Sequence, residues 1–148
     1  MPLSLSIVTA ERSVLQRDDV SKIVTPTSEG QITVLPSHAA LMASLDIGEM
    51  VVHTPEGSQP IVILGGFFQI ASDEVTVLAD AAEHIDDIDE ERAEAAQERA
   101  QTRLEGGDGE VPEGALDLLR AQLALRRALM RLNVKRRRAG TGAPSRTA

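Results

Sequence analysis

The feature that most constrains the fold is a change in hydrophobic period near residue 86. Before it, apolar residues alternate with polar ones, as in residues 3–8, 31–35 and 75–79. That period of two is typical of half-buried β-strands. Beyond residue 86, apolar residues recur every three or four positions, which is the period of an amphipathic α-helix. Because the two periods follow each other along the chain, we predict an α+β protein with its strands first and its helices last.

Residues 1–85 are predicted to form an antiparallel β-sandwich. Turn signals at 28–30, 36–37, 46–48, 54–58 and 72–73 separate short runs rich in Val, Ile, Leu and Ala. Many short strands with turns roughly 8–12 residues apart are typical of sandwiches and barrels. The core must be largely aliphatic, because the chain has only two aromatic residues, both Phe.

The pair Gly65-Gly66 also belongs to this β part. Strand-like residues follow it, whereas a phosphate-binding glycine loop leads into a helix. We therefore interpret the pair as a bulge or a tight corner between strand segments.

Residues 86–136 are predicted to form an antiparallel hairpin of two helices, at about 88–105 and 113–135. Asp86, Asp87 and Asp89 are candidate N-caps for the first helix, and the glycines of 106–109 end it. The first helix carries a narrow stripe made of Ala93, Ala96, Ala100 and Leu104. The second carries a broad leucine face made of Leu116, Leu119, Leu123, Leu125, Leu129 and Leu132. Residues 137–148 are predicted to be a disordered basic tail.

Charge is distributed unevenly within a net charge of -8. Residues 1–87 hold 13 acids and three basic residues, whereas 116–148 hold nine basic residues and one acid, Asp117. A cationic end on an acidic body suggests that this end meets an acidic partner. The alternative is a solvated helix face whose cations offset the negative end of the helix dipole.

Several kinds of chemistry are missing from the sequence. The chain has no cysteine, and His38, His53 and His84 stand apart without the spacing of metal ligands. Neither a phosphate-binding Gly-x-x-x-x-Gly-Lys-[Ser/Thr] loop nor a Gly-x-Ser-x-Gly nucleophile motif occurs. There is no secretory signal and no apolar run of about 20 residues. We therefore expect a soluble intracellular protein with no catalytic residues, no metal site and no required cofactor.

Three segments in order resemble the epsilon-subunit family of F-type ATP synthases, called delta in mitochondria. Residues 30–39 (GQITVLPSHA) look like its first signature, Gly65-Gly66-Phe67 with 75–80 like its second, and 88–93 like the start of its first helix. The sequence departs from the family pattern at three positions, with Thr33 in place of glycine, Ala40 in place of proline, and Leu64 in place of serine or aspartate.

The resemblance implies a non-catalytic subunit of the central stalk that couples proton-driven rotation to ATP synthesis. The sandwich would dock on the gamma subunit and the c-subunit ring. The hairpin would either fold against the sandwich or extend along gamma, where its basic second helix would meet acidic segments of the catalytic β and α subunits and inhibit ATP hydrolysis. The subunit would lie peripherally on the cytoplasmic face of the plasma membrane, or on a thylakoid membrane, without insertion into it.

The resemblance also implies a regulatory ATP site on the folded hairpin. Its residues would be Glu83, Ile88, Asp89, Arg92, Ala93, Arg127 and Arg131. Arginines from both helices would clamp the phosphates, while Glu83 and Asp89 would accept hydrogen bonds from the adenine amino group or the ribose. The alternative is that Asp89 caps the first helix and Arg92 is its surface neighbour.

Two other classes of function compete with this hypothesis. A nucleic-acid-binding module could use the basic run 135–138 as a phosphate-binding arm. The acidic body and the lack of aromatic residues for base stacking argue against it, so we expect no nucleic acid partner. A small-ligand enzyme on a sandwich would need a nucleophile with its base, or a metal set, and the sequence offers neither.

Overall fold

The computed structural model describes the backbone of residues 2–105 and 114–141, and the side chains of 2–105 and 118–137. Eight strands come first, followed by a short 3-10 helix at Ile85–Asp87 and two α-helices, α1 and α2. The strands are β1 (Leu3–Val8), β2 (Ser13–Val20), β3 (Lys22–Thr27), β4 (Gly30–Val34), β5 (Leu41–Thr54), β6 (Gly57–Ala71), β7 (Glu74–Ala79) and β8 (Ala82–His84). The helices are α1 (Glu90–Glu105) and α2 (Gly114–Thr141).

The strands form one sheet in the order β2-β1-β7-β6-β5-β3-β4, with β8 also pairing with β6. Every pair is antiparallel except β1 and β7, which run parallel. The prediction of a β-sandwich followed by a helical hairpin is confirmed, and the parallel pair is an addition to it. Alternation of apolar residues indicates which face of a strand is buried, but it carries no information about the neighbouring strand or its direction.

A crease across β5, β6 and the β7–β8 segment turns this sheet into a sandwich. Core-facing positions within one flat strand are an even number of residues apart, because side chains alternate between faces. In each of the three segments, the last core-facing residue before the crease and the first one after it are an odd number of residues apart. The side of the strand that faces the core therefore changes at the crease. The core residues on either side of it are Leu45 and Met50, Ile63 and Phe68, and Ala79 and Ala82. Both halves of the sheet therefore face one shared core.

The crease explains two sequence signals. The predicted turn at 46–48 is wrong, because β5 runs through these residues and only bends there. Gly65 and Gly66 lie opposite the bend with φ angles of 89° and 128°, as the predicted corner requires. A Cβ on Gly66 would overlap the carbonyl oxygen of Leu78 on β7, so β6 and β7 approach each other closely at this point.

The hairpin lies folded against the sandwich and contacts it through α2. Among the described side chains, every residue of the sandwich core lies on one of the strands β1 to β8. A separate, smaller apolar cluster joins α2 to the outer face of β5 and β6. It consists of Val62, Leu64, Ile85, Ile88 and Val134, with Ile47, Ala81 and Met130 packed against it. Within the described side chains α1 contributes to neither cluster, so α2 alone attaches the hairpin by apolar contacts.

The helix boundaries differ from the prediction at both ends of the hairpin. Helix α1 begins at Glu90 rather than 88, because the Asp89 carboxylate accepts a hydrogen bond from the Arg92 backbone N–H at 3.2 Å and so caps the helix. Helix α2 continues to Thr141 rather than ending at 135. The predicted disordered tail is therefore wrong for residues 137–141, and 142–148 lie outside the described residues.

Alanines of both helices are buried on the faces that α1 and α2 turn towards each other. Ala93 and Ala100 of α1 and Ala121 and Ala128 of α2 are almost completely buried, each pair seven residues apart. The predicted stripe on α1 therefore faces its partner. The predicted leucine face is buried in part: Leu132, four residues after Ala128 and on the same side of α2, is 1% exposed, whereas Leu119 is 50% exposed. Small side chains on both helices allow the backbones to approach each other closely at these alanines. Leu116 lies outside the described side chains.

Candidate functional site

A groove of about 280 Å³ lies between the hairpin and the end of β8. Both helices and the link from the sandwich line it, and most of the lining side chains are charged. They are Glu83, Asp87, Asp89, Arg92, Ala93, Ala96, Arg99 and Arg131. Carboxylates and guanidinium groups that line one groove are suited to a ligand with both hydrogen-bond donors and an anionic group.

Glu83 and Arg131 form a bidentate ion pair within this groove. The Arg131 Nε donates to Glu83 Oε2 at 2.8 Å, and Nη2 donates to Oε1 at 2.6 Å. Each side chain is about one quarter exposed, at 26% for Arg131 and 27% for Glu83. Such a two-point pair is stronger and more directional than a single ionic contact. It joins β8 to α2 and leaves the other N–H groups of the guanidinium for an anion.

Asp89 and Arg92 lie at the first turn of α1, on the same side of the groove. One Asp89 oxygen is used by the cap described above, and the Asp89 carbonyl accepts from the Ala93 N–H at 3.0 Å. The second carboxylate oxygen of Asp89 stays available to a ligand. Arg92 and Arg99 are exposed and lie two turns apart on one face of α1, so both can reach an anion in the groove. Capping and ligand binding are therefore compatible for Asp89.

The structure brings together five of the seven predicted site residues: Glu83, Asp89, Arg92, Ala93 and Arg131. It does not place Ile88 or Arg127 on the groove. Ile88 is 5% exposed and belongs to the apolar cluster under α2, and Arg127 lies one helical turn before Arg131. Sequence reasoning missed Arg99, although its position seven residues after Arg92 indicates the same helix face. No group of three potential metal ligands occurs among the residues that the structure describes.

A second candidate site is an exposed apolar patch on the half of the sandwich that α2 leaves uncovered. Met42, Phe67 and Leu78 are 67%, 58% and 57% exposed, on the adjacent strands β5, β6 and β7. Phe67 is directly opposite Leu78, and Met42 is opposite Gln69, two residues from Phe67. Adjacent exposed apolar side chains of this kind make the surface a candidate for binding a partner. We call these three residues the apolar patch.

Neither α1 nor α2, over the residues described, combines the length and the hydropathy that a bilayer span requires. Comparison with protein families separates the same two parts of the chain. The profile described as the β-sandwich domain of the ATP synthase delta/epsilon chain matches residues 2–85, and that of its long α-helix domain matches residues 86–136. The chain belongs to the ATP synthase delta/epsilon chain family. The resemblance predicted from the three sequence segments is thereby confirmed.

Individual members of the delta/epsilon family show how much of the chain is shared. The ATP synthase epsilon chain of Herpetosiphon aurantiacus is 43% identical over 138 residues, covering 93% of this chain and 97% of the relative. That of Roseiflexus sp. is 49% identical over 96 residues, covering 65% and 68%. A chain in the structure of the Euglena gracilis mitochondrial ATP synthase shares the fold, with a TM-score of 0.71 at 24% identity and coverage of 86% and 78%.

Proposed function

We propose that the chain acts as the epsilon subunit in the central stalk of an F-type ATP synthase. In this role it is a non-catalytic coupling part, and its hairpin inhibits ATP hydrolysis when it leaves the sandwich and extends. Family membership and the relatives named ATP synthase epsilon chain support the assignment to this complex. The inhibitory role is supported by the construction of the molecule.

The observation that carries this proposal is the separation of the hairpin from the sandwich core. The sandwich has its own core, whereas the hairpin is attached by a cluster of five buried residues and three partly buried ones. A part that buries so little can leave without unfolding the rest, because the free energy of local opening follows the surface that is lost. The cationic face of α2 would then be free to meet acidic segments of the catalytic β and α subunits.

The apolar patch fits the docking role proposed for the sandwich. It lies away from α2, so a partner can bind there whether the hairpin is folded or extended. We assign it to the gamma subunit, with the c-subunit ring as the second partner of the sandwich. These contacts would hold the chain peripherally at the cytoplasmic face of the plasma membrane, or at a thylakoid membrane.

Deletion of residues 86–148 tests the inhibitory role. The truncated sandwich keeps its whole core, so we expect it to fold and to assemble with the other subunits. Hydrolysis of ATP by the assembled enzyme should then be faster than with the full chain, measured as phosphate release. Unchanged hydrolysis with the truncated chain incorporated would rule out inhibition by the hairpin.

We further propose that the groove between the helices binds ATP and so favours the folded hairpin. The support is the convergence of Arg92, Arg99 and Arg131 with Glu83 and Asp89 on one groove. Binding to the folded state alone stabilises it by mass action. Isothermal titration of the full chain with ATP should give saturable heat, and the absence of heat at millimolar nucleotide would end this proposal.

A further inference from the structure

Three arginines of α2 are paired with three carboxylates of the sandwich. The Arg126 Nη2 lies 2.9 Å from Asp46 Oδ2, Arg131 is paired with Glu83 as described, and Arg137 is paired with Glu49. The arginines span three turns of α2, and the carboxylates come from β5 and from β8. We call these three ion pairs the latch.

The latch surrounds the apolar contact between α2 and the sheet. Asp46 and Glu49 flank Ile47, which packs against the apolar cluster that contains Val134 of α2. The Glu49 side chain is only 10% exposed, whereas its partner Arg137 is 61% exposed. Lys135 adds a hydrogen bond to the backbone, which its Nζ donates to the Ile85 carbonyl oxygen at 3.0 Å. Charges thus hold α2 on both sides of a small apolar seam.

Magnitudes favour a real contribution from these charges. One exposed ion pair changes an equilibrium roughly 1.5- to 5-fold. A large apolar interface would make such factors negligible, but among the described side chains the cluster under α2 has five buried members. Several pairs acting together on so small a seam can decide whether the hairpin is attached.

We propose that the folded hairpin is held by an electrostatic latch, in which Asp46, Glu49 and Glu83 occupy the arginines that the extended hairpin needs for its acidic partners. An arginine that is paired with a carboxylate of the sandwich cannot pair with an acidic segment of a partner at the same time. Folding against the sandwich and binding of acidic segments therefore exclude each other. The competition with acidic partners rests on the proposed function. The attachment of α2 by charges is a property of the isolated chain and can be tested without other subunits.

Hairpin position in the isolated chain can be measured because the sequence has no cysteine. Cysteines introduced at Gln31 and Gln122, both exposed, allow a pair of labels to report the distance between sandwich and α2. Raising the salt concentration from about 0.1 M to about 1 M shortens the Debye length from about 10 Å to about 3 Å. We expect the ratio of released to attached hairpin to rise about tenfold. A distance distribution that does not change with salt would overturn the latch.

Variants separate the latch from general damage to the hairpin. Asp46→Asn with Glu49→Gln removes two of its carboxylates without touching the groove, and should raise the released fraction about tenfold at low salt. Glu94→Gln is the matched control, because Glu94 pairs with Arg136 inside the hairpin and moves with it. Release by the control equal to that by the double variant would contradict the latch.

A charge exchange gives the sharpest result. Asp46→Arg alone should release the hairpin, and adding Arg126→Asp should restore attachment because the pair is re-formed with opposite signs. No rescue in the exchanged chain would count against the latch.

In the assembled enzyme, the Asp46→Asn and Glu49→Gln variant should inhibit hydrolysis more strongly than the unmodified chain. Release without added inhibition would refute the proposed function and leave the latch standing.

Discussion

Two glycines with nearly the same backbone angle differ in what surrounds them. Gly66 has a φ of 128° and Gly30 a φ of 125°. A Cβ on Gly66 would overlap the Leu78 carbonyl oxygen, whereas a Cβ on Gly30 would meet nothing within 4 Å. Gly66→Ala should therefore lower the free energy of unfolding by about 2–4 kcal/mol, combining backbone strain with overpacking. Urea unfolding measures this change.

Gly30→Ala is the control for backbone strain alone. It should lower the free energy of unfolding by about 1 kcal/mol, since only the unfavourable φ is added. Equal losses at both positions would mean that the close approach of β6 to β7 is unimportant for stability.

Asp19 on β2 provides a test by pH. Its carboxylate accepts from Arg17 Nε at 2.8 Å and Nη2 at 2.7 Å, and this ion pair holds the pKa of Asp19 below its usual value of 3.8. Because the folded-state pKa is lowered, the pair stabilises the fold above about pH 4, and this contribution is lost as the pH falls through the folded-state pKa. NMR titration of the carboxyl carbon should show the lowered pKa, and Arg17→Met should return it towards 3.8.

Arg92 is the residue on which the proposed nucleotide site depends most directly. Arg92→Gln removes a guanidinium from the groove while keeping helix propensity and length, so we expect the ATP affinity to fall at least tenfold. The control is Arg103→Gln, an exposed change on α1 that is not on the groove. Calorimetric titration of both variants measures the effect, and equal affinities would exclude Arg92 from the site.

Among the elements, α2 shows most clearly how packing alters an expectation based on hydrophobicity. Its leucines suggested a broad apolar face, but Leu132 is the one completely buried leucine among the described residues of α2. Ala121 and Ala128 are buried on the same side, and Val134 contacts the sheet. Leu119 and Leu129 are left on the exposed side. Hydrophobicity ranks side chains by transfer energy, whereas a close helix pair selects them by size.

The outer face of β6 and β7 carries the prediction for docking. Phe67→Glu and Leu78→Glu each place a charge in the apolar patch, where binding of a partner would bury it without a counter-charge. Either change should abolish co-purification with the gamma subunit while leaving the fold intact, because both side chains are more than half exposed.

Leu119→Glu introduces the same charge on a leucine of α2 that is half exposed, and it should leave co-purification with gamma unchanged. Retained gamma binding in the Phe67 and Leu78 variants would move the docking site elsewhere.

At the scale of the whole molecule, the chain consists of a self-sufficient sandwich and a hairpin attached by one helix. The link between them is the 3-10 helix Ile85–Asp87, whose Ile85 belongs to the small apolar cluster under α2. Among the residues that the structure describes, release of α2 would uncover this cluster and the latch carboxylates, while the sandwich core, which contains no helix residue, would stay buried. With this arrangement, little free energy is needed to move the hairpin from a folded to an extended position.

Much of this organisation follows from local sequence. The change of period near residue 86 predicts the order of strands and helices, because alternation and helical spacing are properties of each segment alone. The same holds for the Asp89 cap and for the corner at Gly65 and Gly66. Five of the seven site residues that the family resemblance implies also meet on the groove. Of these, Asp89, Arg92 and Ala93 meet for a local reason, because they lie within about one turn at the start of α1.

Tertiary structure alone decided the features that join distant segments. One such feature is the parallel pairing of β1 with β7. Another is the crease, where β5 bends instead of forming the expected turn. The third is the pairing of Arg126 and Arg137 of α2 with Asp46 and Glu49 of β5. Hydrophobic periodicity indicates which face of a segment is buried, and a cluster of like charges indicates that the segment binds groups of opposite charge. The segments that contact each other are determined only by the close packing of the whole chain around its core.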